Sequence, residues 1–316
     1  MKPAVFCLMG PTAIGKTELA CLLSDEFPFE LVNVDSSLVY QELNIGAAKP
    51  DRDQLNRYPH YLVDICDLQT VYSVAQFCED VHRICYEILA RGRYPLLVGG
   101  TMMYFHAFHH GLAKLPEASQ TIREKVNAYV AERGLQAMYD ELVVFDPISA
   151  ARIHPHDQQR LTRAFEIYWQ SGQTWSSLLQ DTHFQQPFDC HHLALFPEPR
   201  SWLHERISLR FHQMIDQGFI EEVQSILKTP NVNLEHPALR SVGYRQAIMY
   251  LQGELDAALW QEKAIAATRQ LAKRQMTWLR SFENRVDFFQ PSVNIFKEIV
   301  ACIQKILDNQ SSSFLK

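Results

Sequence analysis

Long apolar runs are missing from this chain of 316 residues. No segment approaches the roughly 18 uncharged apolar residues that a membrane-spanning helix needs. The run ahead of Gly10 is too short for the core of a signal peptide. A soluble, cytoplasmic protein with no membrane partner is therefore expected. Paired cysteines are missing too. The seven cysteines, at positions 7, 21, 66, 78, 85, 190 and 302, are odd in number and include no C-x-x-C pair, which argues against a disulfide framework or a zinc site and suits a reducing compartment. An excess of positive charge is also lacking: 30 lysines and arginines stand against 36 aspartates and glutamates, for a net charge of −6 and a pI near 6.1. Any nucleic-acid site must then be a local patch rather than a basic coat. The chain carries no internal repeat. What is present, 47% hydrophobic and 21% charged residues, is ample for one large or two modest domains.

The strongest positive signal is the octet Gly10-Pro11-Thr12-Ala13-Ile14-Gly15-Lys16-Thr17. It follows the apolar run Val5 to Met9 and opens an Ala/Leu-rich stretch, so the order is strand, Gly-rich loop, helix. The spacing fits G-x-x-x-x-G-K-[ST], the P-loop pattern. Glycines at its first and sixth positions let backbone N–H groups turn in around an oligophosphate; Lys16 adds a point charge, and Thr17 offers a hydroxyl to a magnesium ion. The octet does not say whether the phosphates belong to ATP.

Along the chain, Leu31 to Val34 reads as a second buried strand that delivers Asp35-Ser36-Ser37 at its C-terminal end. A polar, Pro-containing stretch follows to about residue 72. Ser73 then N-caps a long amphipathic helix through Arg91, closed by Gly92 and Pro95. Tyr94 to Val98 is a third strand, leading through Gly99-Gly100-Thr101 into an aromatic-rich helix. From about 114 to 185 short helical patterns are broken at Gly134, Pro147, Pro155 and Gly172, which reads as an all-helical insertion. His191 to Phe196 is a further core strand, followed by a helix from Pro199 towards Gln217. Helices with breaks near Pro230 and Pro237 lead to a long helical stretch at 256–282. Val286 to Phe289 is a candidate last strand, Asn294 to Leu307 a terminal helix, and Ser311 to Ser313 a frayed tail. The fold class is α/β: a parallel-sheet core over 1–113 and 186–316, with a helical insertion over 114–185.

A magnesium-holding Asp usually closes a core strand in P-loop ATPases. Here the third strand ends in Gly99-Gly100-Thr101 instead. The nearest carboxylate is Asp35, at the tip of the neighbouring strand, in the crevice it shares with Lys16. A catalytic or magnesium-linked role follows for it. A small-molecule kinase could place an Asp there to accept a proton from a substrate hydroxyl, and a regulatory P-loop RNA-binding protein needs no chemistry at all, so the core leaves these readings open.

Taken together, GPTAIGKT, VDSSLVY, AAKP at 47–50, LLVGGTMMYF at 96–105, DQQRLTRAFEIYWQSG at 157–172, RSVGYRQ at 240–246 and ATRQLAKRQMTWLR at 267–280 resemble tRNA dimethylallyltransferases of the bacterial type. These blocks run in one order over nearly the whole chain. The resemblance implies a P-loop NTPase-like fold, and nothing in the sequence demands more than a monomer. It implies transfer of a dimethylallyl group from dimethylallyl diphosphate to N6 of adenosine 37, in the anticodon stem-loop of tRNAs reading codons that start with U. The diphosphate then accounts for the loop without ATP.

The resemblance also implies roles. The loop from Gly10 to Thr17, with Arg210, would hold the diphosphate, and Thr17 would take Mg2+. Asp35 would be the general base for the adenine amine, and Thr101 would hydrogen-bond near the same centre, or N-cap the helix that follows. Ser36, Ser37 and Leu38 beside Asp35 would touch tRNA. So would Arg123, Gln159, Arg160, Leu161, Thr162 and Arg163 of the insertion, and Arg240, Ser241, Val242, Gly243, Tyr244 and Arg245 of the RSVGYR block. The last implied contacts are Lys273, Arg274, Gln275, Met276, Thr277, Trp278, Leu279 and Arg280. From residues alone, Arg269, Lys273, Arg274, Arg280 and Arg285 against the single acid Glu283 form a basic segment in an acidic chain. Two features depart from the family or its longer members: Ala47 stands where many relatives carry Thr, and there is no C-terminal Cys/His finger.

Overall fold

The computed structural model describes residues 2–113, 115–180, 184–230 and 232–313. It divides into two compact units, one of residues 1–109 with 186–316 and one of His110–Gln185. Of the expected insertion, residues 114 and 181–183 lie outside the described residues.

The first unit runs β1 (Ala4–Met9), α1 (Lys16–Glu26), β2 (Phe29–Val34), α2 (Arg52–Arg57), β3 (His60–Tyr61), α3 (Val74–Ala90), β4 (Tyr94–Gly99) and α4 (Met102–His110). The second unit supplies α5 (Gln120–Phe145), α6 (Pro147–Ala150), α7 (Gln158–Ser171) and α8 (Trp175–Gln180). The chain then returns to the first unit with β5 (Asp189–Pro197), α9 (Arg200–Asp216), α10 (Phe219–Lys228), α11 (Tyr244–Leu251), α12 (Ala257–Leu279), β6 (Arg285–Gln290) and α13 (Ile295–Ser313).

Six parallel strands form one sheet in the order β3-β2-β4-β1-β5-β6. Both faces are covered, as a parallel sheet requires. Phe6, Leu8, Leu31, Leu96 and Leu195 pack on one side against α1, α9 and α13; Val5, Cys7, Met9, Val32 and Leu97 pack on the other against α3, α4 and α12. Alternate residues of β1 therefore feed two different cores, which is why its burial is continuous rather than periodic. The strand order reverses around β1, and the crevice beyond the C-terminal ends of β1, β2 and β4 is the topological switch point where α/β sheets bind ligands.

The local signals behave as their chemistry demands. Ser73 forms a reciprocal capping box with Gln76 at the start of α3, and Gly172 closes α7 at φ 71°. Gly134 interrupts α5 at φ 77°. Three expectations need revision. The polar stretch before residue 72 contains the short strand β3, paired to Leu31 and Val32 of β2. The long basic helix stops at Leu279 rather than 282, and α13 continues through Ser313, so those serines are helical rather than frayed. Among the described residues no helix is long and apolar enough to cross a membrane.

Candidate active site

The octet between β1 and α1 is a tight loop that opens α1. Ala13 and Gly15 adopt positive φ, 64° and 102°, turning successive N–H groups inward. Gly15 caps α1 without any side-chain hydrogen bond, so the first turn of that helix keeps its N–H groups and the positive end of its dipole for an anion. Arg206 of α9 holds the loop from outside, its Nε donating to the Ala13 carbonyl at 2.8 Å.

Lys16 folds back on the loop, its Nζ donating to the carbonyls of Gly10 at 3.0 Å and Pro11 at 2.8 Å. Burial pushes its pKa down to about 8; the charge of Asp35 opposes that shift and the charge of Arg210 adds to it. Burial also lowers Arg210, again opposed by Asp35. Two cations and one carboxylate therefore face each other in a desolvated crevice. One positive charge is left unbalanced, and this favours an anionic ligand.

Asp35 sits at the tip of β2. Its N–H donates to Asn33 Oδ1 at 3.0 Å and its own Oδ1 accepts the N–H of Ser37 at 2.9 Å. Asn33 is anchored in turn by its Nδ2, which donates to the carbonyls of Asp35 and Leu62. The turn fixes one carboxylate oxygen, and the other has no hydrogen bond among the described residues. Thr101 lies across from it: its Oγ1 accepts the Ser36 N–H at 3.1 Å, and its own N–H donates to Val34 at 3.1 Å. Its hydroxyl thus ties β2 to the end of β4 instead of capping α4. The absent carboxylate at the end of β4 also has a steric reason. A Cβ at Gly99 would lie 2.0 Å from the Val34 carbonyl, and one at Gly100 would lie 2.6 Å from Gln275 Nε2.

A cavity of about 500 Å³ joins these parts. From the core its walls include Thr12, Ala13, Asp35, Ser36, Ser37, Thr101 and Arg210; Arg240, Ser241, Val242 and Gly243 come from the turn that leads into α11, and Arg274, Gln275 and Trp278 from α12. Residues far apart in the chain, expected to hold a phosphate donor and an RNA base, thus line one space.

Gln275 is the joint between the two sets. It accepts the Thr12 N–H at 2.9 Å and donates to the Gly100 carbonyl at 2.9 Å, so helix α12 is bonded directly to the phosphate loop. Replacing it with leucine should leave two polar groups unpaired and cost about 1–3 kcal/mol, read as a lower urea midpoint together with weaker diphosphate binding.

Several expected RNA contacts lie elsewhere. Met276 and Leu279 are buried in the core beneath α12, Leu161 is buried within the second unit, and Tyr244 is buried with its hydroxyl donating to Glu222 at 2.6 Å. Their side chains cannot touch RNA, because they supply the apolar faces that hold their helices. Arg285 belongs to β6, donating to the carbonyls of Arg280 and Phe282 and pairing with Asp287 at 2.9 Å, which removes it from the basic segment. Arg280 stands at the C-cap of α12 over the Phe196 ring. Lys273, Arg274, Thr277 and Trp278 are exposed on α12, as is Arg245 on α11. In the second unit Arg123 and Gln159 are exposed, Arg160 pairs with Asp157 at 3.4 Å, the Thr162 hydroxyl donates to the Gln158 carbonyl, and Arg163 bonds Glu166 and the Pro116 carbonyl. Leu38 is half-buried and does not line the cavity.

The segment around Ala47 is a brace. Glu222 of α10 accepts the N–H groups of Asn44, Ile45 and Gly46, and Lys49 pairs with Asp64. A side chain at Gly46 would strike Phe219 and Tyr244. Nothing in the sequence singled out Glu222, Arg206 or the bridging role of Gln275, because each acts on backbone groups remote in the chain.

A family model described as IPP transferase matches residues 38–282. The chain is 51% identical to the tRNA dimethylallyltransferase of Legionella pneumophila (strain Corby) over 313 residues, covering 99% of this chain and 100% of that one. It is 46% identical over 305 residues to the tRNA dimethylallyltransferase of Coxiella burnetii (strain RSA 331 / Henzerling II), covering 96% and 98%. Among solved structures it is similar to a tRNA isopentenylpyrophosphate transferase from Bacillus halodurans, at a TM-score of 0.73 and 30% identity with both chains fully covered.

Proposed function

The chain belongs to the IPP transferase family, and from that premise we propose how its residues carry out prenyl transfer to tRNA. It is a transferase that modifies tRNA, and the acceptor of the dimethylallyl group in this reading is N6 of adenosine 37. Dimethylallyl diphosphate is the donor, and the protein acts as a monomer in the cytoplasm. The observation that carries this reading is the cavity that unites the phosphate loop, Asp35, the turn before α11 and the α12 residues.

The loop N–H groups, Lys16 and Arg210 take the diphosphate. They neutralise the charge that grows on it as the allylic C1–O bond breaks, and this charge stabilisation is the main demand of such an ionisation. The adenine amine is a weak nucleophile, its lone pair spread into the ring. Asp35 accepts one of its protons as the N–C bond forms. Thr101, fixed by the Ser36 N–H, holds the position beside it. To reach this crevice the base must leave the anticodon stack. Exposed Arg245, Arg274 and Trp278 are suited to gripping and stacking on the RNA around it.

Magnesium fits the loop in one manner. The Thr17 hydroxyl is on the first turn of α1, and no group of three His, Cys, Asp or Glu able to hold a metal occurs among the described residues. Thr17 would supply one ligand and the diphosphate and water the rest, as is usual for magnesium bound with its phosphate substrate. The ion would add further charge neutralisation at the leaving group. Removing it with EDTA should abolish turnover reversibly, with tRNA binding in a filter assay unchanged.

The test of the function is incubation of the protein with magnesium, dimethylallyl diphosphate and an unmodified tRNA carrying adenosines at 36, 37 and 38. Nucleoside mass spectrometry should find adenosine 37 heavier by one dimethylallyl group. An unchanged nucleoside would defeat the reading.

A further inference from the structure

Helix α12 has two lined faces. Thr268, Leu271, Arg274, Gln275 and Trp278 border the active-site cavity. Arg269, Gln270 and Lys273, offset around the helix, border a second cavity of about 330 Å³, closed on its other side by Arg200 and His204 of α9.

The walls of this second cavity carry positive charge only. No Asp or Glu lines it. Arg200, Arg269 and Lys273 form no ion pair among the described residues, and Arg269 Nε is buried with no hydrogen-bond partner. A desolvated guanidinium N–H without an acceptor is costly, and three unpaired cations side by side repel each other. In a chain of net charge −6 this is a local concentration of charge rather than a reflection of composition. An anion bridging the two helices would satisfy all three groups, and arginine's forked donors match the oxygens of a phosphate.

We infer that this cavity binds a backbone phosphate of the substrate RNA, close to the nucleotide whose base enters the active-site cavity. The inference rests on the proposed function, because the two cavities share α12 as a common wall. A helix is about 10 Å across with its side chains, so an RNA strand with one base in the first cavity has its neighbouring linkages within reach of the second. A phosphate contact fixes position without reading sequence. This site therefore sets the register of the anticodon loop on the enzyme, and it should weigh equally on every RNA that is bound.

Arg200→Gln and Arg269→Gln test the assignment, since neither residue lines the active-site cavity. Each should weaken binding of an unmodified anticodon stem-loop about tenfold, the loss of one charged hydrogen bond. Each should also flatten the log–log salt dependence by about one unit. Dimethylallyl diphosphate affinity and turnover at saturating RNA should stay at wild-type values. Arg200 is exposed, so its variant carries the test if Arg269→Gln fails to fold. Stem-loops bearing a single neutral methylphosphonate at each loop linkage in turn should then identify one linkage that weakens the wild-type protein but costs Arg200→Gln nothing more. Unchanged affinity and salt slope in Arg200→Gln, or the absence of any such linkage, would overturn the inference. If the variants lose RNA affinity while the wild-type protein transfers no prenyl group, the site stands and the proposed reaction falls.

Discussion

Asp35→Ala is expected to lower turnover by about 10²–10⁴-fold, the usual contribution of a positioned general base, with tRNA affinity largely retained. One Asp35 oxygen is committed to the Ser37 N–H and the other is unpaired among the described residues, in a cavity whose remaining charged walls are cationic. That unpaired oxygen is placed to take a proton from an incoming amine. Asp35→Asn separates chemistry from architecture. Asparagine can still accept the Ser37 N–H and keep the turn, but it presents an amide to the amine. The asparagine variant should therefore be as slow as the alanine variant. Recovery of activity with asparagine would mean that Asp35 only shapes the turn.

Lys16→Ala should reduce kcat/KM for the prenyl donor by about 10²–10³-fold, the cost of losing one charge-stabilising donor at a developing anion. The same residue sets a pH dependence. Burial holds Lys16 at about 8, so raising the pH through 8 removes its proton in the free enzyme, and kcat/KM for the donor should fall above that point. A bound diphosphate favours the charged lysine and moves the loss of kcat to higher pH. The stability effect has the opposite sign. The unfolded lysine titrates near 10.5 and binds more protons than the folded one between pH 8 and 10.5, so this group's contribution to stability rises with pH across that window. Donor kinetics and thermal unfolding measured from pH 7 to 10 should diverge in this way in the wild-type protein. In Lys16→Ala neither trend should remain.

The parts of the fold legible in the sequence are those specified by local chemistry. The octet needs only its own residues to turn N–H groups inward, Ser73 and Gln76 cap α3 between themselves, and β1, β2 and β4 are apolar because both faces of a parallel sheet are buried. The two-residue strand β3 was invisible, since His60 and Tyr61 carry no apolar pattern and are strand only through their pairing with β2. The candidate site divides along the same line. Asp35 and Thr101 stand out at strand ends. The block from 273 to 280, by contrast, reads as one RNA-contacting surface until helical geometry separates it: Met276 and Leu279 turn into the core, Gln275 bonds the loop, and Arg274 and Trp278 meet the cavity. Arg206 and Glu222 act on the backbone of Ala13 and of residues 44–46, and no spacing in the chain announces such contacts.

At the centre of the account is a phosphate loop that clamps a leaving group rather than a nucleotide to be hydrolysed. The most direct measurement is a single reaction containing tRNA, dimethylallyl diphosphate, magnesium and ATP, in which free diphosphate, prenylated adenosine and remaining ATP are all counted. Equal amounts of diphosphate and N6-dimethylallyladenosine are expected, with the ATP intact. Consumption of ATP, or release of diphosphate without prenylated nucleoside, would contradict this expectation.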